Sequence, residues 1–326
     1  MIMATIAFIL GLILCLLFGV PYIDFLKKKT IGQYVLDLAP EAHKKKQGTP
    51  TTGGVFIICA IILASVVVLA LAQQLNSFGF IILITLFFYT LAGFQDDYLK
   101  LKGKENQGLT PRGKLIRQIV IALLPAIFIP LYGEHFTRVS FAYHYVDLMW
   151  FYPIFAVFII IGASNAFNLT DGLDGLASSC GIPVFLACAI ISGINGYTAV
   201  SIISAATAGA LVGFLKYNKA KAQVFMGDTG SLALGGLLGT VAVMGKFELL
   251  LVVMAAVFIC ETLSVIIQVT SFKLTGKRVF KMAPIHHHFE LLGWSENKIV
   301  IVFASISTLF SVISIVLCYL YFKGLI

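Results

Sequence analysis

The chain has 326 residues, of which 59% are hydrophobic and only 12% charged, and its net charge is +8. Because about a quarter of the residues in a soluble domain are charged, this composition excludes a soluble protein and predicts an all-α integral membrane protein. Nucleic-acid binding is excluded too, since no soluble domain is large enough to present a groove-reading element.

Ten apolar segments approach the roughly 20 residues that a helix needs to cross a bilayer. The first has no basic residue before it and no clear cleavage site, so we interpret it as a retained span rather than a signal peptide. We interpret residues 1–326 as a single polytopic transmembrane domain of about ten helices. The predicted spans are Ile2–Ile23, Gly54–Ala72, Phe78–Phe94, Leu115–Tyr132, Leu148–Ser164, Ser178–Ile194, Tyr197–Leu215, Ser231–Gly245, Leu249–Phe272 and Ile299–Phe322.

The basic residues give these spans an orientation. With ten crossings, one side holds every one of the 23 Lys and Arg residues except Arg138, Lys246 and Lys323. The positive-inside rule makes this side cytoplasmic and places both termini outside. The polar motifs fall on the same side, so we expect an active site on the cytoplasmic face, suited to phosphorylated ligands.

A loop before the second span combines Lys44–Lys46 with threonines and glycines. Lys46 and Thr51 are suited to binding phosphate. A positively charged membrane anchor followed by a turn explains the same residues and remains open.

Acidic residues end the third span and precede the eighth. Asp96 and Asp97 repel each other unless a cation relieves them, and Mg²⁺ bound to phosphates would do so. A solvated helix end is the alternative. Lys100 and Lys114 add positive charge nearby. Asp228 lies at a helix entry, where free N–H groups attract anions, and a helix N-cap is the alternative.

A polar stretch, Asn165–Gly175, separates two apolar segments in the middle of the chain. Asn165, Asn168, Asp171 and Asp174 recur every three residues, which keeps neighbouring members on one face of a helix. Such a cluster is costly between membrane-length segments unless it works at a water-filled face. It predicts a polar, phosphorylated substrate.

The ninth span and the loop after it carry the remaining candidates. Glu261 begins a polar stripe that includes Gln268, and an intramembrane Glu is either functional or paired inside the bundle. His286, His287 and His288 cannot all face one ion from a helix, because adjacent residues point about 100° apart. Hydrogen bonding to phosphate or sugar is therefore favoured over a metal site.

These motifs, in order along nearly the whole chain, resemble those of the polyprenyl-phosphate N-acetylhexosamine-1-phosphate transferases. The loop Gly48–Gly54 and the run Pro284–Glu290 resemble the bacterial branch that acts on UDP-MurNAc-pentapeptide. Thr52 and Thr229 depart from the family pattern, and we expect neither to touch a proposed catalytic group. The matching motifs are Asp96–Lys100, Asn165–Gly175, Phe225–Ser231 and Pro284–Glu290.

The resemblance implies a homodimer of the bacterial plasma membrane that moves phospho-MurNAc-pentapeptide from UDP-MurNAc-pentapeptide to undecaprenyl phosphate. The products are lipid I and UMP, and the cofactor is Mg²⁺. It implies Asp228 as metal ligand beside the catalytic pair Asp96 and Asp97, with Lys100 and Lys114 as phosphate contacts. The implied substrate contacts are Asn168, Asp171, Asp174, Asn218, Phe225, Gln268, His286 and His287, to which we add Lys46, Thr51, Asn165 and His288.

The sequence leaves open the mechanism of transfer, the choice between two related substrates, and the choice between an enzyme and a transporter. A phosphate monoester has a second pKa near 6, so the lipid phosphate is mostly dianionic and can attack the donor β-phosphate directly. Asp97 could instead form a phospho-enzyme or act as a base. A sister enzyme that transfers GlcNAc-1-phosphate is the nearest alternative, and a transporter is a more distant one.

Overall fold

The computed structural model describes residues 1–29, 48–103, 108–132, 137–141 and 144–324. Nine helices in this part of the chain are long and apolar enough to cross a membrane, which confirms an all-α integral membrane protein. The helices are α1 (Ile2–Lys28), α2 (Gly54–Leu71), α3 (Ser77–Gly103), α4 (Pro111–Tyr132), α5 (Tyr152–Thr170), α6 (Leu176–Ile194), α7 (Thr198–Asn218), α8 (Gly227–Met244), α9 (Glu248–Met254), α10 (Ala256–Thr275), α11 (Ile285–Glu290) and α12 (Glu296–Phe322).

Apart from shifts of helix ends, the observed helices differ from the predicted spans at two places. The predicted span Ser231–Gly245 overlaps α8 from Ser231 to the last residue of the helix, Met244, and α8 is a helix of 18 residues that is not among the nine. Its glycines and polar first turn lower its hydropathy. The predicted span Leu249–Phe272 is two helices rather than one, because the chain leaves helical geometry at Ala255 between α9 and α10.

Helix α8 lies at the centre of the bundle, and every residue from Thr229 to Met244 is buried. Its neighbours approach it at glycines. A Cβ atom on Gly54 of α2 would collide with the backbone of Gly230, and one on Gly93 of α3 with the carbonyl of Asp228. A Cβ atom on Gly235 would lie 2.5 Å from the carbonyl oxygen of Ala163 in α5. Small residues at such contacts let membrane helices pack backbone to backbone.

A polar cluster closes the C-terminal end of α8. The Lys246 ammonium donates to Glu248 Oε1 and to the Tyr152 hydroxyl, each at 2.7 Å. The Tyr152 hydroxyl donates to the same carboxylate oxygen at 2.5 Å. Lys246 also lies 4.1 Å from the centre of the Tyr152 ring. This cluster joins the turn between α8 and α9 to the start of α5.

A short hairpin precedes α5 on that same side of the helices. Strands β1 (Arg138–Phe141) and β2 (His144–Asp147) pair antiparallel, with Arg138 opposite Asp147. The Asp147 carboxylate accepts from the Thr137 hydroxyl at 2.6 Å and from the Met149 amide at 3.0 Å. The sequence analysis did not predict this hairpin.

Candidate active site

Three carboxylates converge where α3 meets α8. Asp96 and Asp97 lie in the C-terminal part of α3, which continues past the predicted end at Phe94, and Asp228 is the second residue of α8. Each offers an oxygen within 4.8 Å of the other two. Asp96 and Asp97 are buried and Asp228 is nearly so. The close contact at Gly93 brings the two helices near enough for this arrangement.

Asp97 caps the N-terminus of α8. Its Oδ1 accepts from the Asp228 amide at 3.0 Å, and its Oδ2 accepts from the Thr229 amide at 2.9 Å and the Thr229 hydroxyl at 2.5 Å. Free N–H groups and the helix dipole make a helix N-terminus a binding site for negative charge. These three donors stabilise the Asp97 carboxylate and fix its orientation.

Two lysines neutralise Asp228. The ammonium groups of Lys100 and Lys114 each lie 2.9 Å from Asp228 Oδ2, and Lys100 is also 2.6 Å from Asp96 Oδ2. The cluster thus places three carboxylates against two ammonium groups. One negative charge is left over in a largely buried site, which favours the binding of a further cation.

The polar stretch in the middle of the chain contributes one side chain directly to the cluster. The Asn168 amide donates to Asp228 Oδ1 at 2.8 Å and to the Ser231 hydroxyl at 2.7 Å. Asn165, in contrast, pairs with Gln118 of α4, donating to its Oε1 at 3.0 Å. Asn165 therefore joins α4 to α5 and lies one turn away from the cluster.

The loop after α5 carries two more acidic residues. Burial raises the pKa of Asp171 well above its usual value, and the negative charges of Asp228, Asp97 and Asp174 add to this effect. The Asp174 carboxylate accepts from the Ala222 amide at 3.0 Å. The Asn218 side chain accepts from the Gly175 amide and donates to the Val224 carbonyl, each at 3.0 Å, and so ties this loop to the segment before α8.

The loop before α2 lines the other side of the α8 entry. The Phe225 amide donates to the Pro50 carbonyl at 2.8 Å, and the Gly53 amide donates to the Phe225 carbonyl at 2.9 Å. Gly227 has φ of +70°, and a Cβ atom there would lie 2.9 Å from the Thr51 hydroxyl and 2.5 Å from Asp97 Oδ2. Thr51 and Asp97 therefore face the same small space. Lys46 lies outside the described residues.

The three histidines lie on α11 and point to three different partners. Nδ1 of His286 is 3.0 Å from the Glu261 carboxylate, and Nδ1 of His287 is 2.6 Å from that of Glu290. Nδ1 of His288 accepts from the Lys281 amide at 3.2 Å. Among the described residues, the one group placed to hold a metal ion is the carboxylate cluster.

Gln268 organises the segment that leads to these histidines. Its side-chain oxygen accepts from the amides of Val279 and Phe280 at 3.0 and 2.9 Å, and its nitrogen donates to the Phe280 carbonyl at 3.0 Å. All of its hydrogen bonds in the described structure are with backbone groups. It therefore fixes the course of the chain between α10 and α11.

The structure corrects one expectation and adds residues that the sequence analysis did not select. Thr229 was expected not to touch a proposed catalytic group, yet both its amide and its hydroxyl donate to Asp97. Thr52 has a different partner, with its hydroxyl 3.2 Å from that of Tyr22. Ser231 and Gln118 also contact predicted site residues. Ser231 lies in the motif that contains Asp228, so its spacing from Asp228 was a usable signal.

Comparison with known proteins shows the family to which the chain belongs. The model of the family described as glycosyl transferase family 4 matches residues 79–246, which include all three carboxylates of the cluster. A phospho-N-acetylmuramoyl-pentapeptide-transferase of Bacillus velezensis is 46% identical over 311 residues, covering 94% of this chain and 95% of the relative. The chain belongs to the phospho-N-acetylmuramoyl-pentapeptide transferase family.

Further members of this transferase family match over a similar length. The enzyme of the same name from Bacillus cytotoxicus is 46% identical over 320 residues, which cover 96% of this chain and 95% of the relative. That of Oceanobacillus iheyensis is 44% identical over 316 residues, covering 95% of this chain and 96% of the relative. The resemblance seen in the motifs is thus confirmed across the chain. The prediction of a multi-pass bacterial membrane protein is confirmed as well.

Proposed function

We propose that this chain transfers phospho-MurNAc-pentapeptide from UDP-MurNAc-pentapeptide to undecaprenyl phosphate, giving lipid I and UMP. The observation that carries the proposal is the meeting of three carboxylates and two lysines at the α3–α8 contact, in a membrane protein of this family. Charged groups of both signs are what the chemistry needs, since both substrates bring phosphate groups into one site.

The donor set of the cluster fits Mg²⁺, which prefers carboxylate oxygens and phosphates. Asp228 is the proposed metal ligand, with Asp96 close enough to share in binding. Bound there, Mg²⁺ would neutralise charge that develops on the diphosphate of the donor. Lys100 and Lys114 form ion pairs with Asp228 in the structure, and we propose that they form ion pairs with the phosphates of the bound substrates.

Asp97 is better suited to holding α8 in place than to attacking phosphorus. Both of its oxygens accept hydrogen bonds from the first turn of α8. To attack phosphorus, this carboxylate would have to break these hydrogen bonds and turn away from α8. We therefore favour direct attack over a phospho-enzyme on Asp97.

In direct attack, an oxygen of the lipid phosphate forms a bond to the β-phosphorus of the donor. The bond from that phosphorus to the bridging oxygen breaks, and UMP leaves with the electron pair. No proton need be removed, because the lipid phosphate is already dianionic near neutral pH. The chain's contribution is alignment and charge neutralisation, for which Lys100, Lys114 and Asn168 are the nearest side chains.

The donor site is proposed to extend from the cluster toward the loop after α5 and toward α11. Asp171, Asp174 and Asn218 lie along the first of these directions. His286, His287, His288 and Gln268 belong to the second, with Thr51 and Phe225 at the entry to α8. Placement of the site on the cytoplasmic face, both termini outside, a single domain and a homodimer remain our proposals.

The deciding experiment measures UMP release by the purified protein from UDP-MurNAc-pentapeptide, with and without undecaprenyl phosphate and Mg²⁺. Release that requires both additions supports the transferase and direct attack. Release with Mg²⁺ but without lipid, together with a phosphosugar trapped on Asp97, would overturn direct attack. Release from UDP-GlcNAc instead of the pentapeptide donor would assign the chain the activity of the sister enzyme.

A further inference from the structure

A carboxylate and an imidazole form a pair in the interior, between α10 and α11. Oε2 of Glu261 lies 3.0 Å from Nδ1 of His286, and both side chains are completely buried. Removing a carboxylate from water is costly unless it gains a hydrogen-bonding partner, and His286 is that partner. The pair lies outside the carboxylate cluster, and Glu261 has no role in the proposed function.

The other edge of the His286 ring lies against the loop after α5. A Cβ atom on Gly172 would collide with Nε2 and would lie 2.7 Å from Cε1. Nε2 has no hydrogen-bonding partner among the described residues. The ring therefore fills the whole space between Glu261 on one side and the backbone next to Asp171 on the other.

Helix α11 depends on such contacts for its position. It has six residues, and an isolated helix of that length is not stable in water. The other two histidines have hydrogen-bonding partners close to them in the chain: His287 contacts Glu290 on the same helix, and His288 accepts from the Lys281 amide. Among the three histidines, His286 alone is completely buried.

We propose that Glu261 is a positioning residue for the donor site. It holds a proton on Nδ1 of His286, and the oriented ring seats α11 against the loop that carries Asp171 and Asp174. The identity of the donor in this statement depends on the proposed function, whereas the seating of α11 does not. Without an acceptor at position 261, a buried N–H group loses its partner, and α11 moves away to solvate it.

Two variants of Glu261 separate hydrogen bonding from shape. Glu261→Leu keeps the size of the side chain and removes the acceptor, while Glu261→Gln keeps an acceptor oxygen. Glu248→Leu is the matched control, because it removes an equally buried, paired carboxylate at the far end of α8. Each protein is treated with diethyl pyrocarbonate, and modification of His286 is quantified by mass spectrometry. The KM values for donor and for lipid acceptor are measured in parallel.

The expected result is that His286 is modified only in Glu261→Leu and is protected in wild type, Glu261→Gln and Glu248→Leu. In Glu261→Leu, the KM for the nucleotide-sugar substrate should rise about tenfold, which is the scale of the cost of leaving one buried N–H group without a hydrogen bond. The KM for the lipid substrate should stay within about twofold. Protection of His286 and an unchanged donor KM in Glu261→Leu would overturn the proposal. A Glu261→Gln variant as impaired as Glu261→Leu would do so too.

A variant on the opposite side of the ring keeps the proposal testable if Glu261→Leu fails to fold. Gly172→Ala leaves Glu261 in place and displaces His286 by collision. It should expose His286 and raise the donor KM in the same way, and an unchanged His286 would count against the proposal. Since labelling of His286 is independent of turnover, an inactive protein would contradict the proposed function without affecting this test.

Discussion

The two ends of α8 carry two buried polar clusters that differ in one respect. At the C-terminal end, Lys246 and Glu248 balance each other one to one, with the Tyr152 hydroxyl completing the network. At the N-terminal end, three carboxylates face two lysines. With 18 residues, α8 separates the clusters by about 27 Å, close to the thickness of the hydrocarbon core.

This difference distinguishes a structural cluster from a functional one. A balanced network has satisfied its charges and has no reason to admit an ion, so it stabilises the fold. An unbalanced cluster retains negative charge that only a further cation or a proton can relieve. Burial alone would not separate the two, because Glu248 and Asp96 are equally buried at 2% exposure.

Asp228→Asn should have the largest effect, because it removes the carboxylate that both lysines contact. We expect the rate of UMP release to fall by about a thousandfold or more, since a neutral amide binds Mg²⁺ poorly. The measurement is UMP release over a range of Mg²⁺ concentrations. Near-wild-type turnover at ordinary Mg²⁺ would show that Asp228 is not part of the active site. The cluster at the N-terminal end of α8 would then have no demonstrated function.

Lys246→Met tests the balanced cluster, because it leaves Glu248 buried without its cation. We expect the free energy of unfolding to fall by about 3 kcal/mol, the cost of breaking a buried pair from one side. The kcat should stay within about twofold. Thermal denaturation in detergent measures the first quantity, and the double variant Lys246→Met/Glu248→Leu should recover part of the loss. A large loss of kcat at unchanged stability would contradict a structural role.

Thr229→Val removes one of the three donors to Asp97 while keeping the shape of the side chain. Loss of one hydrogen bond to a charged group should cost about 1.5 kcal/mol, equal to roughly a tenfold fall in kcat if Asp97 positions α8 during turnover. Thr240→Val is a suitable control, because its hydroxyl donates within α8, to the Gly236 carbonyl. Equal effects in the two variants would show that Thr229 has no special relation to Asp97.

Asp171→Asn should have the smallest effect, a modest rise in Tm that depends on pH. The raised pKa of Asp171 means that the native state binds the proton more tightly than the unfolded state. Stability is therefore lost as the pH rises above the ordinary carboxyl range, and the variant escapes that loss. Its Tm should exceed the wild-type value at pH 7.5 and match it near pH 4, measured without Mg²⁺.

Asp147→Asn is a control in which the change in Tm at neutral pH should have the opposite sign. The Thr137 hydroxyl, the Met149 amide and Arg138 lower the pKa of Asp147, so its contribution to stability is present at neutral pH and is lost as the pH falls. This variant should have a lower Tm than wild type at pH 7.5, with the difference vanishing in acid. The same sign in both variants would contradict the assigned shifts.

Much of the fold could be predicted from hydropathy, because a membrane helix has to satisfy its backbone within one long apolar segment. Hydropathy did not predict that protein encloses α8, nor that the chain breaks between α9 and α10. Helix α8 is buried by protein rather than by lipid, and its sequence combines leucine and valine with five glycines. The break at Ala255 has neither Gly nor Pro at that position to mark it, and so it depends on tertiary packing.

The sequence predicted which carboxylates form the site, but not which side chains contact them. Asp96, Asp97 and Asp228 were selected together, and the structure brings them together. Motif spacing could not reveal that Asn165 pairs with Gln118 while Asn168 reaches Asp228, because both lie on the same face of α5. Nor could it show that Thr229 binds Asp97, which requires α3 and α8 to be placed side by side.

The five glycines and the polar first turn of α8 also bear on how the protein is made. A segment rich in glycine and polar at one end gains little by leaving the translocation channel for lipid on its own. We expect α8 to be retained at the channel until α2, α3 and α5 can enclose it, so that insertion and helix assembly become one event. The polypeptide would thus acquire its carboxylate cluster at the moment when its central helix enters the membrane.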